Sequence, residues 1–135
     1  MRKFFFLALM LLLPSIAFAA GAPAIKGQYK AVPGKEFKYD GKTVEVLEFL
    51  SFYCGTCYEF EKSIPAIKGN FPKKIKWKIA PVYWGEGSPK PGEAYFLAEE
   101  AGKGEAMKRA LFKANFIDKK NIGDVAVLES IGAQI

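Results

Sequence analysis

Cys54 and Cys57 are the residues of this chain best suited to covalent chemistry, and they are the only cysteines among its 135 residues. They stand where an apolar stretch over residues 44–53 meets a segment with apolar side chains at three- and four-residue spacing. The first pattern predicts a strand covered on both faces, and the second predicts a helix with one buried face. Two cysteines at the first turn of a helix face each other, so they can close a small disulfide or open to two thiols.

The position of Cys54 at the start of a helix predicts different roles for the two sulfurs. The first N–H groups of a helix have no partner within the helix, and together with the helix dipole they stabilise a negative charge. The thiolate is the species that attacks disulfides. We therefore predict that Cys54 is the nucleophile and that Cys57, one turn further along, is the resolving thiol.

A structural disulfide and a metal site are the alternatives for this pair. A bridge across two residues stabilises a fold little, because the entropy it removes from the unfolded chain grows with loop length. Zinc usually takes four ligands, and the chain has no histidine and no third cysteine. A soft-metal binding function stays open, because two thiolates suit Cu(I). Metal stoichiometry under reducing conditions would separate it from redox chemistry.

The remainder of the chain predicts an α/β fold. Residues 75–83 alternate apolar and polar side chains, so strand, helix and second strand form a βαβ unit. A loop rich in Gly and Pro follows over 84–92, and the pattern then becomes helical. Helices are predicted over 94–101 and 105–116, and a third begins with Asp124 as its N-cap.

Residues 1–19 have the pattern of a secretory signal peptide: a basic start, an apolar run and an Ala-x-Ala cleavage site. The apolar run is too short to span a bilayer, which takes about 20 residues, and an N-terminal membrane anchor is the alternative. Cleavage after Ala19 would remove Arg2 and Lys3 and leave 18 basic against 14 acidic residues, a net charge of +4. This mild excess is spread through lysine-rich loops, which favours ordinary solubility over a nucleic-acid surface. Export would place the cysteines in an oxidising compartment, where disulfide chemistry is expected.

The segment from Val46 to Glu61 resembles the active-site segment of the DsbA family of thiol:disulfide interchange proteins, which are periplasmic dithiol oxidases of the thioredoxin superfamily. The shared run, VLEFLSFYC-x-x-CYEFE, is far longer than a bare C-x-x-C motif. The resemblance implies a thioredoxin-like fold and disulfide exchange with reduced substrate proteins. It also implies re-oxidation by a DsbB-type membrane protein, and no cofactor beyond the cysteines. Reductase or isomerase activity in the same compartment is a related possibility.

Further residues acquire expected roles from this resemblance. Gly55 and Thr56 stand where the family typically has Pro-His, and threonine lacks the charge with which histidine can support a thiolate, so we predict a less oxidising couple. Glu48 matches a family acid six positions before the nucleophile. It is expected either at an exposed edge or as a buried carboxylate that accepts or relays the proton of Cys57, with Lys78 as its partner. Glu61 also matches a family acid, and we expect it to be solvated on a helix surface.

The resemblance covers roughly residues 28–135. It divides the chain into a signal peptide (1–19), the N-terminal part of a thioredoxin-like domain (20–85) and the start of an inserted helical domain (86–135). The family continues with further strands, a terminal helix and a cis-proline loop beside the cysteines, which this sequence lacks. We therefore expect an incomplete thioredoxin-like α/β fold, from a fragment or a shortened gene. An inactive truncated relic is a third functional hypothesis.

Overall fold

A computed structural model of the chain describes residues 27–30, 32–34, 41–85 and 87–135. The expected signal peptide lies outside these residues. The chain divides into two compact units, Met1–Glu36 and Phe37–Ile135. The described residues of the first unit are exposed and form neither helix nor strand, whereas the second unit contains both cysteines and all the described helices and strands.

The first half of the second unit is the expected βαβ arrangement. Its elements are β1 (Val44–Leu50), α1 (Gly55–Phe60), α2 (Ile64–Asn70) and β2 (Ile75–Pro81). The two strands are parallel, and their register aligns Val44 with Ile75 and Leu50 with Pro81. The turn that carries Cys54 therefore begins at the carboxyl end of β1, where open α/β sheets place their chemistry.

The sheet is partly buried on one face and exposed on the other. Burial alternates along β1, and Leu50 at its end is fully buried. On the outer face, Leu47 and Phe49 are 54% and 63% exposed. The expectation of a strand covered on both faces is therefore wrong for the described part of the chain, because none of its segments packs over this outer face.

The helix that begins after Cys54 is divided in two, although the spacing of apolar residues predicts one helix. Pro65 has no N–H to donate, so the regular helical hydrogen bonding is interrupted there. Short-range bonds hold the intervening turn, including Ile64 N–H to the Glu61 carbonyl at 3.4 Å. Cys57 consequently lies in a helix of six residues, and Cys54 is its N-cap.

The second half of this unit is helical, as predicted. Its elements are α3 (Lys90–Glu100), α4 (Gly104–Phe112), a π-helical segment (Lys113–Ile117) and α5 (Val125–Gly132). Asp124 is the N-cap of α5, as expected, and its carboxylate accepts the Ala126 N–H at 2.9 Å. Among the described residues, no helix is long and apolar enough to cross a membrane.

One hydrophobic core joins the end of β1 to the helices. Leu50 and Phe52, on either side of the strand's end, are buried in the same cluster as Leu111 and Phe112 of α4. The rings of Phe52 and Phe112 lie 5.3 Å apart. Burying each such side chain contributes about 1.5–3 kcal/mol, so the turn before Cys54 is anchored at the centre of the fold.

Candidate active site

Cys54 is the N-cap of α1, as the sequence predicts. Its backbone is extended (φ −88°, ψ 111°), and its sulfur accepts the Cys57 N–H at 3.2 Å. The turn that leads to it is closed by a bond from the Cys54 N–H to the Ser51 carbonyl at 3.0 Å. The Cys54 sulfur therefore faces one of the N–H groups that a helix leaves unpaired at its start.

The two sulfurs lie side by side as free thiols. Their Sγ atoms are 2.6 Å apart, and both residues are partly exposed. A disulfide bond is about 2.05 Å long. The pair can therefore close to a disulfide with little movement when an oxidant removes two electrons and two protons are released, and reduction reopens it to two thiols.

The surroundings of Cys57 perturb its thiol. Burial raises its pKa, and the hydrogen bond with Cys54 and the charges of Cys54 and Glu48 raise it further, against a backbone hydrogen bond at Ser51 that lowers it. Cys57 also packs against the hydrophobic core. Cys57 consequently holds its proton more firmly than an ordinary thiol. This agrees with its predicted role as the resolving thiol.

Glu48 lies on the inner face of β1, partly buried. Its Oε2 accepts the indole N–H of Trp77 at 2.8 Å. This bond satisfies one carboxylate oxygen and directs the side chain inward. Its charge contributes to the raised pKa of Cys57, so Glu48 lies within electrostatic reach of that thiol. A role in moving the Cys57 proton stays a prediction.

The expected pairing of Glu48 with Lys78 is wrong. The strand register places Lys78 opposite Leu47, on the outer face of the sheet. Its Nζ lies 3.3 Å from Glu45 Oε1, and both side chains are 65% exposed. A shift of one residue in register exchanges the two faces of a strand. Which residue of β2 lies beside Glu48 therefore depends on a register that the sequence does not specify.

Gly55 and Thr56 occupy the first two positions of α1, and both are exposed. A Cβ at Gly55 would meet the Phe116 ring at 3.8 Å, an ordinary contact distance. Neither residue brings a charge to the sulfurs. The reason for predicting a less oxidising couple than one with Pro-His therefore still holds.

The π-helical segment contributes two residues that the sequence patterns did not identify. Asn115 donates its side-chain N–H to the Phe52 carbonyl at 2.9 Å. Phe116 stacks on Tyr58 of α1, with ring centroids 4.9 Å apart and planes 8° apart. Segments of this kind are frequent at functional sites, but the spacing of apolar residues here is the same as in an ordinary helix.

Glu61 is not a solvated surface acid as expected. Its Oε2 lies 2.9 Å from Nζ of Lys108, whose side chain is fully buried. A signal was present in the sequence, because Lys108 lies next to Met107 and one turn before Leu111, at a position on the apolar side of α4.

Cys54 opens onto a groove of about 320 Å³. Aromatic side chains dominate its wall, and those of Tyr53, Tyr83 and Trp84 are exposed. In the described part of the chain, no three histidine, cysteine or acidic side chains come together as a possible metal site.

The influence of Glu48 on Cys57 can be measured directly. In a chain that carries Cys54→Ser, the added change Glu48→Gln is expected to lower the pKa of Cys57, because it removes a nearby negative charge. The thiolate is the form that reacts with alkylating reagents. The midpoint of the rate of Cys57 alkylation by iodoacetamide, measured across a pH series, should therefore move to lower pH.

The matched control is Glu45→Gln in the same background, since Glu45 lies exposed on the opposite face of β1. It should leave the midpoint unchanged. Equal shifts in the two variants would show that Glu48 has no specific influence on Cys57.

The chain is similar to DsbA proteins over part of their length. It is 29% identical over 92 residues to the thiol:disulfide interchange protein DsbA of Azotobacter vinelandii, a match that covers 68% of this chain and 39% of that protein. It is 36% identical over 89 residues to DsbA of Haemophilus influenzae, covering 62% and 43%. The chain thus spans less than half the length of these curated relatives. No protein-family model matches it.

A solved structure agrees with the fold. The 1.95 Å crystal structure of DsbA from Klebsiella pneumoniae superposes with a TM-score of 0.56 at 24% sequence identity, covering 74% of this chain and 60% of that one. This likeness confirms the thioredoxin-like fold that the sequence predicts. The chain therefore has a thioredoxin-like fold, and over part of its length its sequence is similar to that of DsbA proteins.

Proposed function

We propose that this chain carries the redox centre of an exported thiol:disulfide oxidoreductase, which introduces or exchanges disulfides in other proteins. The observation that carries this proposal is the asymmetric thiol pair. The Cys54 and Cys57 sulfurs lie 2.6 Å apart, the first accepting a helix N–H and the second set against the core.

In the oxidising direction, a substrate thiolate attacks the Cys54 sulfur of the Cys54–Cys57 disulfide. The bond between the two protein sulfurs breaks, Cys57 leaves as a thiolate and takes up a proton, and a mixed disulfide joins Cys54 to the substrate. A second substrate thiolate then attacks the substrate sulfur of this mixed disulfide and displaces the Cys54 thiolate. The substrate gains a disulfide, and the protein pair gains two electrons.

The geometry supports this division of roles. The thiolate displaced in the second step is that of Cys54, whose sulfur receives the Cys57 N–H. In the reducing direction the Cys54 thiolate attacks a substrate disulfide, and Cys57 resolves the product. The aromatic groove beside Cys54 offers apolar surface to the residues flanking a substrate cysteine.

The location and partners belong to the same proposal. The pattern of residues 1–19 and the similarity to DsbA support export to the periplasm, with reduced proteins as substrates. The cycle returns electrons to an external acceptor, for which we propose a DsbB-type membrane protein. The two cysteines supply all the redox chemistry, with no further cofactor.

Equilibration with glutathione tests the proposal and the expected redox poise together. The pair should form an intramolecular disulfide reversibly, and mass spectrometry after alkylation counts the thiols that remain. A Gly55→Pro/Thr56→His variant restores the residues typical of the family. It should lose its disulfide at lower concentrations of reduced glutathione, with an equilibrium constant shifted by about tenfold, or roughly 30 mV.

Two results would contradict these expectations. The oxidoreductase function would be excluded if the parent chain forms no intramolecular disulfide on equilibration with glutathione and does not oxidise a reduced model protein. A parent chain as oxidising as its Pro-His variant would instead show that Gly55 and Thr56 do not set the potential.

A further inference from the structure

The fully buried side chain of Lys108 is outside the chemistry described so far. Its Nζ lies 2.9 Å from Glu61 Oε2 and 3.3 Å from Glu105 Oε2. Removing an ammonium group from water costs several kcal/mol, and replacing a whole buried ion pair by apolar residues is often neutral or stabilising. The stability of the fold is therefore a weak reason for a lysine at this position.

Glu61 connects Lys108 to the thiol pair. It is the C-cap of α1, and its N–H donates to the Cys57 carbonyl at 3.2 Å. A helix of six residues is not stable alone, so its position depends on what it packs against. The stacking of Tyr58 on Phe116 holds one part of α1 against the helical half. The ion pair with Lys108 holds its end.

Resting on the proposed function, we propose that Lys108 is a positioning residue for the thiol pair. By holding Glu61 against α4, it fixes the short helix and keeps the Cys57 sulfur within reach of Cys54. Closure of the disulfide is an intramolecular step whose ease depends on the effective concentration of one thiol at the other. Without this ion pair, Cys57 would meet the mixed disulfide on Cys54 less often.

The test uses the full chain with a Lys108→Met/Glu61→Leu double variant. Removing Lys108 and Glu61 together leaves no charge buried and unpaired, which is what makes single variants of such pairs unstable. The third member, Glu105, is 49% exposed and keeps its ion pair with Arg109. Glutathione sets the redox conditions, and its mixed disulfide with Cys54 is the species that is measured. The double variant is expected to fold, to accumulate the mixed disulfide of Cys54 with glutathione by about threefold more than the parent, and to lose its internal disulfide at lower reduced glutathione.

Lys113→Met is the matched control, because Lys113 follows α4 directly and its ion pair with Asp118 leaves the lysine side chain exposed. It should behave as the parent does. A folded double variant with the parent's mixed-disulfide fraction and equilibrium would overturn the positioning role. Failure of the double variant to fold would also overturn it, since the pair would then be a requirement of the fold. Failure of the parent to form any disulfide is a separate result, and it would remove the proposed function itself.

Discussion

Replacing Cys57 by serine is expected to leave a protein that enters disulfide exchange and cannot complete it. Cys54 keeps its place at the start of α1, so its thiolate still attacks a disulfide. The thiol that should resolve the product is missing, so the mixed disulfide persists. Turnover should fall to the uncatalysed level, while a covalent adduct with substrate or glutathione accumulates on Cys54 and is visible by non-reducing electrophoresis and mass spectrometry.

Cys54→Ser is the matched control for this prediction. Turnover should be lost equally, but without an adduct, because Cys57 is set against the core and burial raises its pKa. Both variants should therefore lose turnover, but only Cys57→Ser should accumulate the covalent adduct. Adducts that form on Cys57 in the Cys54→Ser chain as readily as on Cys54 in the Cys57→Ser chain would reverse the assigned roles. A structural disulfide would trap no substrate in either variant.

The part of this site that the sequence predicts is the part that depends on local spacing. Two cysteines three apart, after an apolar run and before a helical pattern, are enough to place one sulfur at the start of a helix. Asp124 was found in the same way, because an N-cap is a relation between a side chain and N–H groups two or three residues later. Relations of this kind involve few residues and do not need the remainder of the fold.

The errors arise where long-range geometry decides. The prediction that Lys78 pairs with Glu48 relies on the two strands being neighbours. The register instead places Lys78 on the outer face, and Glu48 accepts a hydrogen bond from the indole of Trp77. The apolar composition of the segment around β1 predicts that its outer face is covered. Composition cannot show whether another segment packs there, and Leu47 is exposed in the described structure.

The pair of Lys108 and Glu61 shows a different limit. Each residue type is common on a helix surface, and their 47-residue separation in sequence gives no local sign of contact. The useful sign was the placement of Lys108 on the apolar side of α4, where a lysine demands a partner. A lysine on the apolar side of a helix can be recognised from sequence as a buried charge. Its partner, Glu61, is known only from the structure.

The second large effect expected is on stability. Leu50→Ala should lower the free energy of unfolding by about 2–5 kcal/mol, because Leu50 is fully buried and its truncation leaves a cavity in the core. Leu47→Ala is the matched control, since it makes the same change in the same strand at a site that is 54% exposed. Its effect should stay within about 0.5 kcal/mol. Urea unfolding followed by circular dichroism measures both.

This comparison also decides whether the chain folds as a cooperative unit. Leu50 shares one cluster with Leu111 and Phe112, so a chain that folds should lose its sheet and its helices in a single transition. With exposed Trp84 replaced by Phe, tryptophan fluorescence reports on the sheet through Trp77, and circular dichroism reports mainly on the helices. Two separate transitions, or equal costs for Leu47→Ala and Leu50→Ala, would mean that β1 is not packed as described. The absence of any transition would favour the inactive relic.

The same substitution links stability to chemistry. The Leu50 carbonyl accepts the Val82 N–H at 2.8 Å, and the turn to Cys54 begins at the next residue. A cavity beneath this turn should loosen the support of Cys54, the proposed nucleophile, before the whole fold is lost. In Leu50→Ala, closure of the Cys54–Cys57 disulfide should therefore weaken at urea concentrations where circular dichroism is still native, whereas Leu47→Ala should lose both together. If disulfide closure and the circular dichroism signal are lost together in both variants, Leu50 stabilises the fold but has no separate effect on the thiol pair.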